Sequence, residues 1–104
     1  MNKLLIDTRD NKRVTAILEI GDKKFEAVST SENRHPESIL ILIEKVCTDA
    51  GILIHDIDEI NVEEGPGSYT GLKVGASVAN ALGFSLGKKI NGKKLEELVT
   101  PTYE

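Results

Sequence analysis

Gly65-Pro66-Gly67-Ser68-Tyr69-Thr70-Gly71 stands between a short apolar run, Ile57 to Val62, and a long apolar stretch in which glycine keeps recurring. One reading is phosphate binding, because glycines between a strand and a helix N-terminus can present backbone N–H groups to an anion. The spacing fits it poorly. A P-loop places Lys-Ser/Thr directly after its last glycine, whereas Lys73 follows Leu72 and precedes Val74. A dinucleotide fingerprint needs glycine three places after Gly67, where Thr70 stands. Glu63 and Glu64 would repel a phosphate at close range. A second reading is structural: the glycines make a sharp turn, and Ser68 or Thr70 caps the helix that follows. A third looks along that helix, from about Thr70 to Leu86. Gly71, Gly75, Ala79, Gly83 and Gly87 recur every four residues and form one ridge of very small side chains. Gly75 and Gly83 inside a helix together cost about 2 kcal/mol relative to alanine. Close approach of another helix, or of the sheet, would offset that loss. Val74, Val78 and Leu82 add a large apolar stripe, and both internal packing and a subunit contact satisfy the pattern.

Working outward toward the N-terminus, Leu4-Leu5-Ile6 is a short apolar run ending at Asp7-Thr8. From Val14 the chain alternates, with Val14, Ala16, Leu18 and Ile20 on one face, as a half-buried strand does. Gly21-Asp22 suits a type II′ hairpin turn, and Phe25 and Ala27 continue on a third strand. Ser31 to Arg34 reads as a polar loop. Pro36 opens a helix that runs to about Ala50, with Gly51 as its stop. The apolar residues of that helix, Ile39 to Ile43, Val46, Cys47 and Ala50, cover more than the single stripe a helix on a sheet needs. The surplus predicts a second surface, most naturally on another subunit. Toward the C-terminus come an extended piece near Lys88 to Ile90 and a brief helix, Lys93 to Val99, ended by Pro101. Strand-strand-strand-helix-strand-helix order predicts a mixed sheet, since a strand reached through a helical crossover is usually parallel to its neighbour.

The 104 residues predict one domain, and 39% apolar with 29% charged residues argues against disorder. A net charge of −4 with signs interspersed argues against bulk electrostatic binding of nucleic acid. No apolar run reaches the ~20 residues that span a bilayer. Met1 leads directly into a strand-like run without the features of a signal peptide, and Cys47 is the only cysteine. The expectation is a reduced, cytoplasmic protein with no membrane contact.

Catalytic arrangements are sparse. His35 and His55 lie in predicted loops without the one-turn helical spacing of a metal-binding pair, so no metal and no cofactor are expected. Cys47 falls in an apolar helix and reads as an inert thiol. Gly67-Ser68-Tyr69 is not a nucleophile elbow, because Thr70 replaces the final glycine. Lys88, Lys89, Lys93 and Lys94 read as a solvated edge.

Gly65 to Gly75 nonetheless resembles a known signature, Gly-Pro-Gly-Ser-Phe/Tyr-Thr-Gly-Leu-Arg/Lys-Ile/Val-Gly, of the TsaB (YeaZ) family. Leu5-Ile6-Asp7-Thr8 is similar to that family's first strand, His35, Ser38 and Leu40 to its first-helix pattern, and Asp56 to Val62 to its next strand. The resemblance covers nearly the whole chain in order. It implies an α/β fold, a single actin/Hsp70-like (ASKHA, RNase H-like) lobe with a five-stranded mixed sheet and helices packed on it. It implies a non-catalytic subunit in tRNA threonylcarbamoyladenosine (t6A) modification that associates with the transferase TsaD and with the ATPase TsaE, and that forms homodimers when alone. Transfer RNA is then met only indirectly. The contact is implied to use the two main helices, here through Ile39, Leu42, Ile43, Val46, Gly71, Gly75, Val78, Ala79 and Leu82. Asp7 and Thr8 resemble the strand end that faces phosphate in the wider fold, which leaves a small ATPase assembled across a homodimer as the competing expectation. Arg9 stands where the family has serine, Glu63 and Glu64 replace small residues, and of the two lobes usual in the family the expectation here is the N-terminal one alone.

Overall fold

The computed structural model describes residues 1–10, 12–30 and 36–92. Its elements run β1 (Asn2–Asp7), β2 (Val14–Ile20), β3 (Lys23–Ser29), α1 (Pro36–Ala50), a 3-10 turn (Ile54–Asp56), β4 (Glu59–Val62) and α2 (Tyr69–Leu86). The strands form one mixed sheet in the order β3-β2-β1-β4, antiparallel except for β1 beside β4. Gly21 has φ 58 at the first turn position, as the sequence predicts for the β2–β3 hairpin. Gly51 ends α1 with φ 75, and Gly87 ends α2 in the left-handed region, its N–H reaching Gly83 and Phe84 carbonyls.

Alternation decides which sheet face is covered. Leu4 and Ile6, Val14, Ala16 and Leu18, Ala27, and Ile60 and Val62 are buried on one side. Helix α1 packs over β2 and β3, α2 over β4 and β1, and the two helices touch. Ile39, Ile43 and Val46 of α1 and Ala79 of α2 complete this core at 0–1% exposure.

The sheet departs from the expectation at its C-terminal end: four strands pair among the described residues, not five. Ile90 makes a single parallel bridge to Ile60 and pairing stops there. Asn91 and Gly92 both adopt positive φ, 52 and 76, a conformation that cannot continue a strand. The Asn91 side chain takes over the role of the next strand. Its Oδ1 accepts the Val62 N–H at 2.8 Å, and its Nδ2 donates to the Val62 carbonyl at 2.9 Å and to Glu64 Oε2 at 2.9 Å. The predicted loop over Ser31 to Arg34, His35 and the predicted helix over Lys93 to Val99 lie outside the described residues.

Candidate interaction site

The glycine segment is built around Arg9. The Ser68 N–H donates to the Arg9 carbonyl at 2.9 Å, and the Glu63 N–H to the Ile6 carbonyl at 3.0 Å, so the segment lies against the end of β1. A side chain at Gly67 would sit 2.8 Å from the Arg9 carbonyl oxygen, which accounts for glycine there. Gly65 has φ 112, open only to glycine at low cost. Ser68 is the residue that caps α2: its Oγ accepts the Gly71 N–H at 3.3 Å. Tyr69 and Thr70 face outward on the first turn.

The Arg9 guanidinium grips Asp7 in two places, Nε to Oδ1 at 3.1 Å and Nη2 to Oδ2 at 3.0 Å, and its Nη1 reaches Glu63 Oε2 at 3.2 Å. The hydrogen bonds from Arg9 hold the Asp7 carboxyl below the usual carboxylate range, and the same pairing raises Arg9. Asp7, Arg9, Asp10, Arg13, Thr15 and Pro66 line an open cleft beside it. Thr8, the other residue expected to face a nucleotide, is 1% exposed and covered by Gly75. The structure therefore presents neither a free Asp7 carboxylate nor an accessible Thr8 hydroxyl at this strand end.

The residues expected at a partner interface divide in two. Ile39, Ile43, Val46, Gly71, Gly75 and Ala79 are buried within the chain itself. The small-residue ridge serves internal packing: Gly75 lies on Thr8, and Gly83 lies on the Ile90 side chain and the Lys88 carbonyl. Leu42, Val78 and Leu82 keep 5–9% exposure at the rim.

The surface that remains open is a groove of about 460 Å³ between the helices, floored by Val78 and Leu82 and walled by Pro36 and Leu40 of α1 and Ser77, Ala81 and Ser85 of α2. Leu40 is 37% exposed, Ile41 63% and Phe84 81%. Leu40 and Ile41 are the surplus apolar residues of α1. Sequence reasoning does not single out Phe84 or Ala81, and it reads Pro36 only as the start of α1. A signal existed in the row Ser77, Ala81, Ser85, which marks a face that is neither charged nor core.

Other candidates do not converge. Cys47 is buried, which pushes its thiol up and keeps it protonated. His55 is exposed, 3.8 Å from Asp56. Among the described residues no group of three His, Cys, Asp or Glu side chains is placed to hold a metal, and no helix is long and apolar enough to cross a membrane.

A mixed sheet with two helices on one face and a motif loop at the strand ends defines an actin/Hsp70-type α/β lobe. Residues 28–93 match the family model described as TsaD, tRNA N6-adenosine threonylcarbamoyltransferase, and the chain belongs to this family, on its TsaB (YeaZ) side. The TsaB protein of tRNA threonylcarbamoyladenosine biosynthesis from Haemophilus influenzae is 31% identical over 81 residues, covering 78% of this chain and 34% of that protein. A tRNA N6-adenosine threonylcarbamoyltransferase from Ralstonia pickettii is 48% identical over 56 residues, 54% of this chain and 16% of that one. The structure of YeaZ from Pseudomonas aeruginosa superposes with a TM-score of 0.79 at 20% identity, over 86% of this chain and 43% of that chain. The chain thus spans less than half the length of each of these relatives.

Proposed function

We propose that this lobe is a non-catalytic interaction subunit that supports a TsaD-like transferase in t6A modification of tRNA, docking through the outward faces of α1 and α2. The observation that carries this is the groove between the helices: Pro36, Leu40 and Ala81 stand exposed around a floor of Val78 and Leu82, and Ile41 and Phe84 are exposed on the same two helices. Scattered exposed apolar residues need no explanation, but a contiguous apolar patch marks an interaction site. A TsaD-like occupant is supported by the chain's likeness to both TsaB-type proteins and transferases. Two related lobes pairing like on like would form a pseudo-symmetric interface, and a second copy of this chain could take the same place when the transferase is absent. A TsaE-like ATPase would join through the transferase complex, with tRNA reached only through the partner.

The competing reading, an ATPase assembled across a homodimer, has less support. Asp7 is neutralised by Arg9 and Thr8 is buried, so the strand end that would face phosphate and metal is already occupied by the chain's own cation.

The test is a pull-down and size measurement with the transferase homologue of the same organism, using wild type and Ala81→Asp. Ala81 is exposed, so the variant should fold and lose the partner. A well-folded wild-type chain that fails to bind the transferase would sink the proposal, and ATP turnover abolished by Asp7→Ala would favour the competing one.

A further inference from the structure

Of the six asparagines in the chain, only Asn91 is followed by glycine; the others precede Lys, Arg, Val or Ala. An asparagine carboxamide is open to attack by the backbone nitrogen of the next residue, and a side chain on that residue crowds the approach. Glycine does not, and its backbone turns freely into the conformation the attack requires. The surroundings of Gly92 add no cover: it is exposed, and a Cβ built there meets nothing within 4 Å. Asn91 and Gly92 both have positive φ, 52 and 76, the backbone that an Asn-Gly turn favours.

The fold restrains this reaction by spending the Asn91 side chain on β4. Asn91 Oδ1 accepts the Val62 N–H at 2.8 Å, and Nδ2 donates to the Val62 carbonyl and to Glu64 Oε2, each at 2.9 Å. Ring closure requires the carboxamide to leave these partners and turn onto the Gly92 nitrogen. The edge that must open for this is short. Ile90 makes one bridge to Ile60, the Asn91 N–H donates to the Ile60 carbonyl at 3.0 Å, and among the described residues no further pairing follows. Opening so short an edge costs far less than unfolding the lobe.

We propose that Asn91-Gly92 is a site of spontaneous deamidation, gated by opening of the Ile90–Asn91 edge, and that the product prevents the edge from closing as before. The Gly92 nitrogen bonds to Asn91 Cγ, and Nδ2 departs as ammonia with the proton that the Gly92 nitrogen gives up. Water then opens the succinimide, at Cγ to leave aspartate or at the Asn91 carbonyl carbon to leave isoaspartate. Water is the only co-reactant. Aspartate keeps an acceptor for the Val62 N–H, but it loses the donor to the Val62 carbonyl and sets a second carboxylate against Glu64. Isoaspartate carries the chain through the former side chain and removes the carboxamide altogether. Neither residue lines the groove between the helices, so failure here leaves the docking proposal untouched.

The test follows the full folded chain in mildly alkaline buffer at physiological temperature, beside a synthetic peptide of residues 86–94. Peptide mapping by mass spectrometry reads the exchange of amide for carboxyl, and an isoaspartate-specific assay reads the rearranged product. Asn91 should change ahead of every other asparagine, about ten-fold or more slowly in the folded chain than in the peptide. Urea too dilute to unfold the chain should speed it. The modified chain, separated by ion exchange, should melt below the unmodified one. Gly92→Ala should slow the reaction in the peptide, where folding plays no part. A folded chain that reacts as fast as the peptide, or one in which Asn91 never changes while the peptide does, would overturn the proposal. So would a rate indifferent to dilute urea, another asparagine changing first, a peptide rate unmoved by Gly92→Ala, or equal melting of the two forms.

Discussion

Gly75 of α2 lies directly on Thr8 at the end of β1, so close that a Cβ at position 75 would collide with the Thr8 Oγ1 and stand 3.1 Å from its Cγ2. This one contact sets how near α2 approaches the sheet. Gly75→Ala gains about 1 kcal/mol of helix propensity, but overpacking a buried site usually costs 1–3 kcal/mol, and Thr8 is itself buried, at 1% exposure. The expected net effect is a loss of up to about 2 kcal/mol in urea unfolding. Combining it with Thr8→Ala, which removes both colliding atoms, should recover part of that loss, giving a favourable coupling of at least about 0.5 kcal/mol in the double-mutant cycle.

Arg9 links β1, β4 and the glycine segment, and its effect is written in the pH dependence of stability. The folded Asp7 pKa is depressed, so the contribution is present above the unfolded value near ~3.9 and is lost as pH falls from there through the folded value. The stability difference between wild type and Arg9→Ala should therefore be full at neutral pH and shrink as the solution becomes more acid. Chemical unfolding at several pH values measures it. A difference independent of pH would show that Arg9 acts through packing alone.

Asn91 satisfies both backbone groups of Val62 from a left-handed backbone. Asn91→Gly keeps that conformation accessible and removes only the side chain, so its cost, about 1–2 kcal/mol, reports the orphaned groups. Asn91→Asp should cost more, because it replaces the donating amide with a carboxylate beside Glu64. Thermal melts of the two variants rank them.

Phe84 is exposed on α2, the helix that supplies one wall of the groove. Phe84→Ser should change folding stability by no more than about 0.5 kcal/mol. If the groove is the docking surface, the same change should weaken the partner complex by about ten-fold or more, as loss of a large aromatic anchor does. Calorimetric titration with the transferase separates the two effects.

Local pattern made much of this fold legible. The period-two run from Val14, the Gly21-Asp22 turn, Pro36 and Gly51 around α1, and the capping serine before Gly71 each depend on neighbours a few residues away, and each element lies where its residues place it. The fifth strand was not legible, because Lys88 to Ile90 looks extended by composition while pairing is ended by the backbone of Asn91 and its side-chain bonds to Val62.

By itself the sequence determined the mixed α/β architecture and the family signature from Gly65 to Gly75. Only the tertiary structure decided which apolar side chains are core and which are surface. Periodicity reports that a helix has too many apolar residues for one face, but not which of them meets the sheet; the phase is set by long-range contacts such as Gly75 on Thr8 and Gly83 on Ile90. That rotation turns the small-residue ridge inward and leaves Leu40, Ile41, Ala81 and Phe84 facing out.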